Sequence, residues 1–474
     1  MLSSCAIGPN FHAPKAPTTT KYSPSELPQS LTENNDGALK QQFINATVDS
    51  AWWKAFNSGP LNNLVNSALQ HNFDLKAAEE NLKAAKEIYK SQWSLLLPQI
   101  DLNYSAQKSR NADSLANPLS NPPDGSNPAN PYTLHTAQVN VSYGIDLWGS
   151  NRRMLEQSKA QTEGIYFQTQ AARQALISNV LVTAMQITSL SEQLHAAHES
   201  TEASLKMLNF MQRQKDLGAV GVVDVAPYEA NLVQDTAAEQ TLLHTLRVSK
   251  TLLETLLGKD PSQIDETPNS LSEITLPKNL PYILPSELIS KRADIAYARS
   301  QLHAAYANVG VADAAFLPSI NLNGNDGGAA QKLAEVLSSG NLFRNLAVDV
   351  TAPLTNIYGL YHSRKAAQAQ LNAAQAQYES TVIAGLRDVA NTLDALFVDS
   401  QITQSAQRGE ISAERLLKFT QTQLDVGDTG EIQLLSIIRM KYQADITLHA
   451  AELQNYTDTV AFYMALGGEP MKTE

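Results

Sequence analysis

Leu97-Pro98-Gln99-Ile100-Asp101-Leu102-Asn103 returns later in the chain as Leu317-Pro318-Ser319-Ile320-Asn321-Leu322-Asn323. The same landmarks follow both stretches. Gly218-Ala219-Val220-Gly221 is answered by Gly427-Asp428-Thr429-Gly430, and Leu256-Leu257-Gly258 by Ala465-Leu466-Gly467. Three matches in one order, at nearly constant spacing, identify two copies of one supersecondary unit. The spacing shrinks between Pro98 and Gly218, so the extra residues of the first copy fall in Asn117 to Pro131, a Pro-, Asn- and Ser-rich stretch that reads as a loop.

Around each repeat the hydrophobic period changes. In Thr136 to Leu147 the residues Ala137, Val139, Val141, Tyr143, Ile145 and Leu147 alternate with Gln138, Asn140, Ser142, Gly144 and Asp146, the pattern of a strand with one apolar and one polar face. Ile100, Leu102 and Tyr104 alternate in the same way, as do Ile320 and Leu322, and then Leu346, Val348 and Val350. Each copy thus supplies one strand pair. From Ser150 to Leu217 there is no proline and Gly164 is the only glycine, while Leu176, Val180, Thr183, Ile187, Leu190 and Leu194 recur at steps of four and three. That is a heptad seam, repeated at Val382, Leu386, Val389, Leu393 and Leu396. Such a helix would run roughly 100 Å at 1.5 Å per residue, beyond what a globular domain needs. Gly218 and Gly427 supply the reversals, and returning helices follow through Leu242, Leu246, Leu253 and Leu256 and their counterparts. The expected organisation is an extended N-terminal segment over 1–50, a first repeat over 51–258, a linker over 259–284 and a second repeat over 285–474.

Composition narrows the function classes. Of 474 residues, 43% are hydrophobic and 17% charged, enough apolar content for a substantial core. One cysteine excludes an internal disulfide and thiolate metal clusters. A net charge of −12 without a basic cluster speaks against nucleic acid as a partner. The mean hydropathy is −0.25, and no run of about 18 apolar residues offers a transmembrane helix. Any crossing of a bilayer is then left to the strands, and tilted strands of about 10 residues suffice. Lipid requires a closed barrel, about eight strands is the smallest that closes, and four strands per chain therefore force oligomerisation. Two chains would give a lumen filled by side chains and three would give room for a channel. The pattern alone leaves both open.

Leu2-Ser3-Ser4-Cys5 fits a bacterial lipobox. The charged and apolar regions of a signal peptide do not precede it, so the chain as written is expected to be truncated or to start too late. Cys5-Ala6-Ile7-Gly8-Pro9-Asn10-Phe11-His12-Ala13-Pro14 resembles the mature start of outer-membrane efflux lipoproteins, the TolC, OprM and NodT-like type of outer membrane factor. The likeness continues at Trp52-Trp53 and Phe56, over Leu61 to Leu75, at Leu284-Pro285-Ser286-Glu287-Leu288 through Arg292-Ala293-Asp294-Ile295, and to Ala465-Leu466-Gly467-Gly468. Alanine stands at 293 where that family usually has proline, a departure expected to affect only a loop. The resemblance implies an α+β membrane channel: a trimer with a twelve-stranded outer-membrane β-barrel, four strands per chain, continuing into an α-helical coiled-coil barrel in the periplasm, with an equatorial domain at mid-height. It implies acylation of Cys5, and as partners a periplasmic adaptor and an inner-membrane pump.

No catalytic constellation, nucleotide-binding motif or HExxH is present, so neither enzymatic activity nor a cofactor is expected. His195 and His198 share a helical face at i, i+3 without a carboxylate partner in the motif, and read as surface or packing residues. A passive duct needs a gate where three copies of each hairpin converge, and there one acid becomes a ring of three. Asp224, Asp428 and Glu431 lie near the turn glycines, Ile432 could add an apolar constriction, and Arg439 resembles in position the arginine with which the family ties neighbouring helices. The family often has an acid where this chain has Ser436. The alternative for Asp224 and Glu431 is ordinary helix N-terminal preference. Adaptor contact is expected at the tips around Gly218, Gly221, Gly427 and Gly430. The acidic excess predicts a cation-preferring lumen. Competing functions are the exit duct of a type I protein secretion system and a periplasmic coiled-coil adaptor.

Overall fold

The computed structural model describes residues 6–15, 22, 41–110, 131–261 and 267–467. Cys5, Gly468 and nearly all of the 117–131 loop lie outside them. In chain order the elements are β1 (Gln42–Ile44), α1 (Gly59–His71), α2 (Phe73–Gln92), β2 (Gln99–Ser109), β3 (Tyr132–Ile145), α3 (Ser150–Asp216), α4 (Val222–Leu256), β4 (Asn279–Pro281), α5 (Pro285–Lys291), α6 (Ala293–Ala314), β5 (Ser319–Ala330), β6 (Leu342–Thr351), α7 (Ile357–Asp425) and α8 (Glu431–Leu466). No helix among the described residues is long and apolar enough to cross a membrane. The chain divides into two compact units.

The first unit comprises Met1–Ala13, Leu82–Ile165 and Ala298–Tyr378. Its sheet has the order β2-β3-β5-β6, with every neighbouring pair antiparallel. Register aligns Leu102 with Val139, Val141 with Gly324, and Leu322 with Val348, so the apolar members of the alternation fall on one face. On the other, Asp101 aligns with Asn140, Asn140 with Asn325 and Asn325 with Asn345. A half-buried sheet would cover its apolar face. Here Leu102 is 81% exposed and Leu346 75%. Among the described residues β2 and β6 are open edges. At Gly327 the strands approach so closely that a Cβ would lie 2.4 Å from the Ala137 carbonyl and 2.5 Å from the Gln138 Cβ, so only glycine fits at this position of the polar face.

The N-terminal segment is clipped to the same unit. Ile7 N–H donates to the Trp148 carbonyl at 3.0 Å, Arg153 donates to Ile7 O at 3.2 Å and to Asn10 Oδ1 at 2.7 Å, and Phe11 stacks on His303 with centroids 4.4 Å apart. His303 in turn bonds Glu156 at 2.9 Å. The Gly8-to-Phe11 stretch that carries the family likeness therefore has a specific receptor in the fold.

The second unit comprises Pro14–Asn81, Tyr166–Tyr297 and Glu379–Glu474. The heptad residues of α3 form its core, with Val180 and Leu181 fully buried, joined by Val389, Leu393 and Leu396 of α7. Each such side chain contributes about 1.5–3 kcal/mol by leaving water. Trp52 and Phe56 sit in a short 3₁₀ turn at this core. The Trp52 ring stacks on Tyr463 of α8 at 5.2 Å while its indole N–H donates to Gln174 at 3.0 Å. Residues 267–284 are partly structural: Ile274, Leu276, Leu280 and Ile283 are buried in the same core, and β4 pairs parallel with β1. Neither short strand has a sequence pattern long enough to show itself.

Ala293 is the first residue of α6, correcting its expected place in a loop. Arg292, immediately before it, donates to both Asp294 oxygens at 3.0 and 2.8 Å, to Asp388 at 3.1 Å and to the Ala465 carbonyl at 2.9 Å. The Arg292/Asp294 pair thus ties the end of α8 to the start of α6 and to α7.

Candidate gate at the helical hairpin turns

Both hairpins of the second unit reverse through the same backbone construction. Gly218 and Gly427 each have φ +77, a left-handed conformation that a side chain strains. Gly218 N–H bonds Lys215 O and Ala219 N–H bonds Gln214 O. Gly427 N–H bonds Leu424 O and Asp428 N–H bonds Gln423 O. Each is the paired bond set of a Schellman turn, satisfying carbonyls that the helix end would leave open. Gly221 and Gly430 are the N-caps of the returning helices. The four glycines singled out from sequence are therefore the termini of two equivalent turns.

The acids near these turns differ in what they do. The Asp224 carboxylate accepts the Gly221 N–H at 2.8 Å, capping its own helix. Asp428 accepts from the Gln423 side chain at 3.3 Å. Glu431 opens α8 and is exposed, and Ile432 is half-buried beside it. Large apolar side chains crowd the same tips: Leu217, Val222, Val223 and Val426 are all exposed.

Arg439 reaches further along the hairpin. Its Nε and Nη2 donate to the two carboxylate oxygens of Asp235 on α4 at 2.7 and 2.8 Å, and Ser204 Oγ of α3 donates to Asp235 at 2.6 Å. Three helices thus converge on one carboxylate. Burial raises the Asp235 carboxyl's pKa, but the hydrogen bonds from Arg439 and Ser204 outweigh it and hold the group below the usual carboxylate range. The same hydrogen bond raises Arg439 against its own burial. Asp235 was not legible from sequence. It lies on the other hairpin, 204 residues from its partner, and only the fold pairs them.

A second titratable pair joins α7 and α8. Asp399 is buried with one oxygen lacking a partner, and burial, followed by the neighbouring Asp458 carboxylate, pushes its carboxyl up to about 7. Among the described residues no group of three or more His, Cys, Asp or Glu could hold a metal. His198 bonds Glu239 across the α3–α4 hairpin at 3.0 Å, and His195 is exposed.

The chain resembles known proteins in both sequence and fold. The chain is 26% identical over 431 residues to the pyoverdine export outer membrane protein OpmQ of Pseudomonas putida, covering 89% of each. It is 26% identical over 480 residues to the solvent efflux pump outer membrane protein SrpC of Pseudomonas putida, covering 99% of this chain and 96% of that one. In structure it resembles the Campylobacter jejuni CmeC outer membrane channel with a TM-score of 0.83 at 22% identity, over 99% of this chain and 96% of the other. The outer membrane efflux protein family matches residues 64–259 and 284–468, and the chain belongs to that family.

Proposed function

We propose that the chain is the outer-membrane channel of a tripartite efflux system, a passive duct that receives substrates from a periplasmic adaptor and an inner-membrane pump and releases them outside. The observation that carries this is the four-stranded sheet: its apolar face is exposed, its other face is lined by asparagines and acids, and both edge strands are unpaired. Three copies joined β6 to β2 would close twelve strands, turn the apolar face to lipid and remove every edge. Lipid attachment at Cys5 would anchor the assembly, and the Arg153 clip holds the segment just after it.

The hairpin tips are assigned to the periplasmic aperture. Glu431, Asp428 and Ile432 supply the ring at the mouth, Asp224 shapes it as a cap, and Arg439 with Asp235 holds the hairpins together. The exposed Leu217, Val222, Val223 and Val426 form an apolar surface suited to adaptor contact beside Gly218, Gly221, Gly427 and Gly430. The test is single-channel recording of the purified protein in planar bilayers. Discrete conductance steps are expected, and a protein that never conducts would refute the duct.

A further inference from the structure

The basic residues of the sheet are confined to one face. Its four strands contain only two Lys or Arg, Lys108 and Arg344, and both share the face of Leu102 and Leu346. The polar face carries Asp101 and Asp349 and no base. One end of every strand leads to or from a helix, at α2–β2, β3–α3, α6–β5 and β6–α7. At the opposite ends β2 is followed in the chain by β3, and β5 by β6, with no α-helix between them among the described residues. Lys108 is the penultimate residue of β2 and Arg344 the third of β6, so both cations sit at the ends remote from the helices. His135, fourth in β3, shares their face and bonds the Tyr104 hydroxyl at 2.9 Å. Nearer the helices the same face turns apolar, through Leu346 and Val348.

We propose that Lys108 and Arg344, with His135, bind the phosphate groups of phosphorylated glycolipids in the outer leaflet. The proposal rests on the barrel above: in the closed ring β6 of one copy lies beside β2 of the next, so the two cations come from adjacent strands at the outer rim of the lipid-facing band. Charge complementarity identifies the occupant, because cations at the headgroup level of an outward face meet the anionic headgroups of the surrounding lipid. Asp326 supports rather than cancels the site. It accepts from Arg344 Nε at 2.7 Å, which orients the guanidinium, while the Arg344 side chain stays 84% exposed and can face a phosphate. Long basic side chains reach such a level without moving the backbone.

The experiment uses the full-length protein in phosphatidylcholine vesicles in which one part in ten is bisphosphorylated lipid A or its phosphate-free counterpart. Lipid retained per complex after detergent extraction is counted by native mass spectrometry. The wild type is expected to retain the phosphorylated lipid in preference. Lys108→Gln with Arg344→Gln and Asp326→Asn should lower that affinity roughly thirtyfold, about fivefold per cation, while Lys108→Arg with Arg344→Lys should retain it. Equal retention of both lipids by the wild type, or undiminished retention by the neutral variant, overturns the site. Planar-bilayer conductance of the same preparations separates the two claims: conducting channels without phosphate preference sink only the lipid site, whereas a wild type that neither conducts nor retains lipid sinks the barrel with it.

Discussion

Neutralising Asp235 should open the periplasmic end. Asp235 is 11% exposed and Arg439 31%, and they exchange two charge-assisted hydrogen bonds with a third arriving from Ser204. A fully exposed pair would be worth about 0.2–1 kcal/mol, and removing one partner of a fully buried pair costs about 3–5 kcal/mol. This half-shielded, bidentate pair falls between them, at about 2 kcal/mol per chain, or roughly thirtyfold in the closed-to-open equilibrium of one hairpin pair. If three copies move together the shift reaches about 6 kcal/mol. Asp235→Asn keeps the volume and removes the charge. In planar bilayers it should increase the time spent in the highest conductance state, and Arg439→Ala should do the same. The pH dependence has a definite sign. Because the folded carboxyl titrates below its ordinary 3.8, the contact is complete above that value and is lost only as pH falls through the lower folded value. Acidification from pH 7 to pH 5 should therefore leave this lock closed. Conductance of Asp235→Asn indistinguishable from wild type at neutral pH would refute the assignment of the pair to the gate.

Other outcomes follow from the same geometry. Asp399 titrates near 7 when folded against 3.8 ordinarily, so the folded state binds an extra proton between those values and stability should rise as pH is lowered from 8 to 5. Asp399→Asn should flatten that rise, measured by thermal unfolding at each pH, and an unchanged slope would contradict the raised Asp399 carboxyl. Ala293→Pro should stabilise by about 0.4–1 kcal/mol, since position 293 is the first of a helix and Arg292 before it has the extended backbone (φ −83, ψ 128) that proline tolerates. A fall in the unfolding midpoint would show that strain outweighs this gain. Because the polar face of the sheet carries Asp101 and Asp349 without a compensating base, the channel should prefer cations, with the reversal potential in a KCl gradient shifting toward zero in Asp101→Asn/Asp349→Asn. Anion preference in the wild type would contradict it.

What the sequence disclosed tracks the range of the interaction responsible. The Thr136 to Leu147 alternation, the Leu176 to Leu194 seam and the turns at Gly218 and Gly427 are local patterns written in consecutive residues, and each gives the element that local physics demands. The turn acids were visible too, yet their duties were not separable: Asp224 caps its own helix, as acids at N-termini commonly do, while Glu431 is exposed. Long-range pairs were invisible. Asp235 acquires meaning only when α4 lies beside α8, Asn10 only when Arg153 reaches it, and the parallel pair β1–β4 joins two three-residue segments with no periodicity to read. Ala293 was misplaced because proline in that position of the family suggests a loop, although proline is equally at home at a helix start.

In the proposed channel, three copies close one barrel. Native mass spectrometry of the protein extracted from membranes in mild detergent measures this directly. A complex of three 51.6 kDa chains, before any lipid mass, is the expected result. A stable two-chain complex, whose eight strands would leave a lumen filled by side chains, would contradict it.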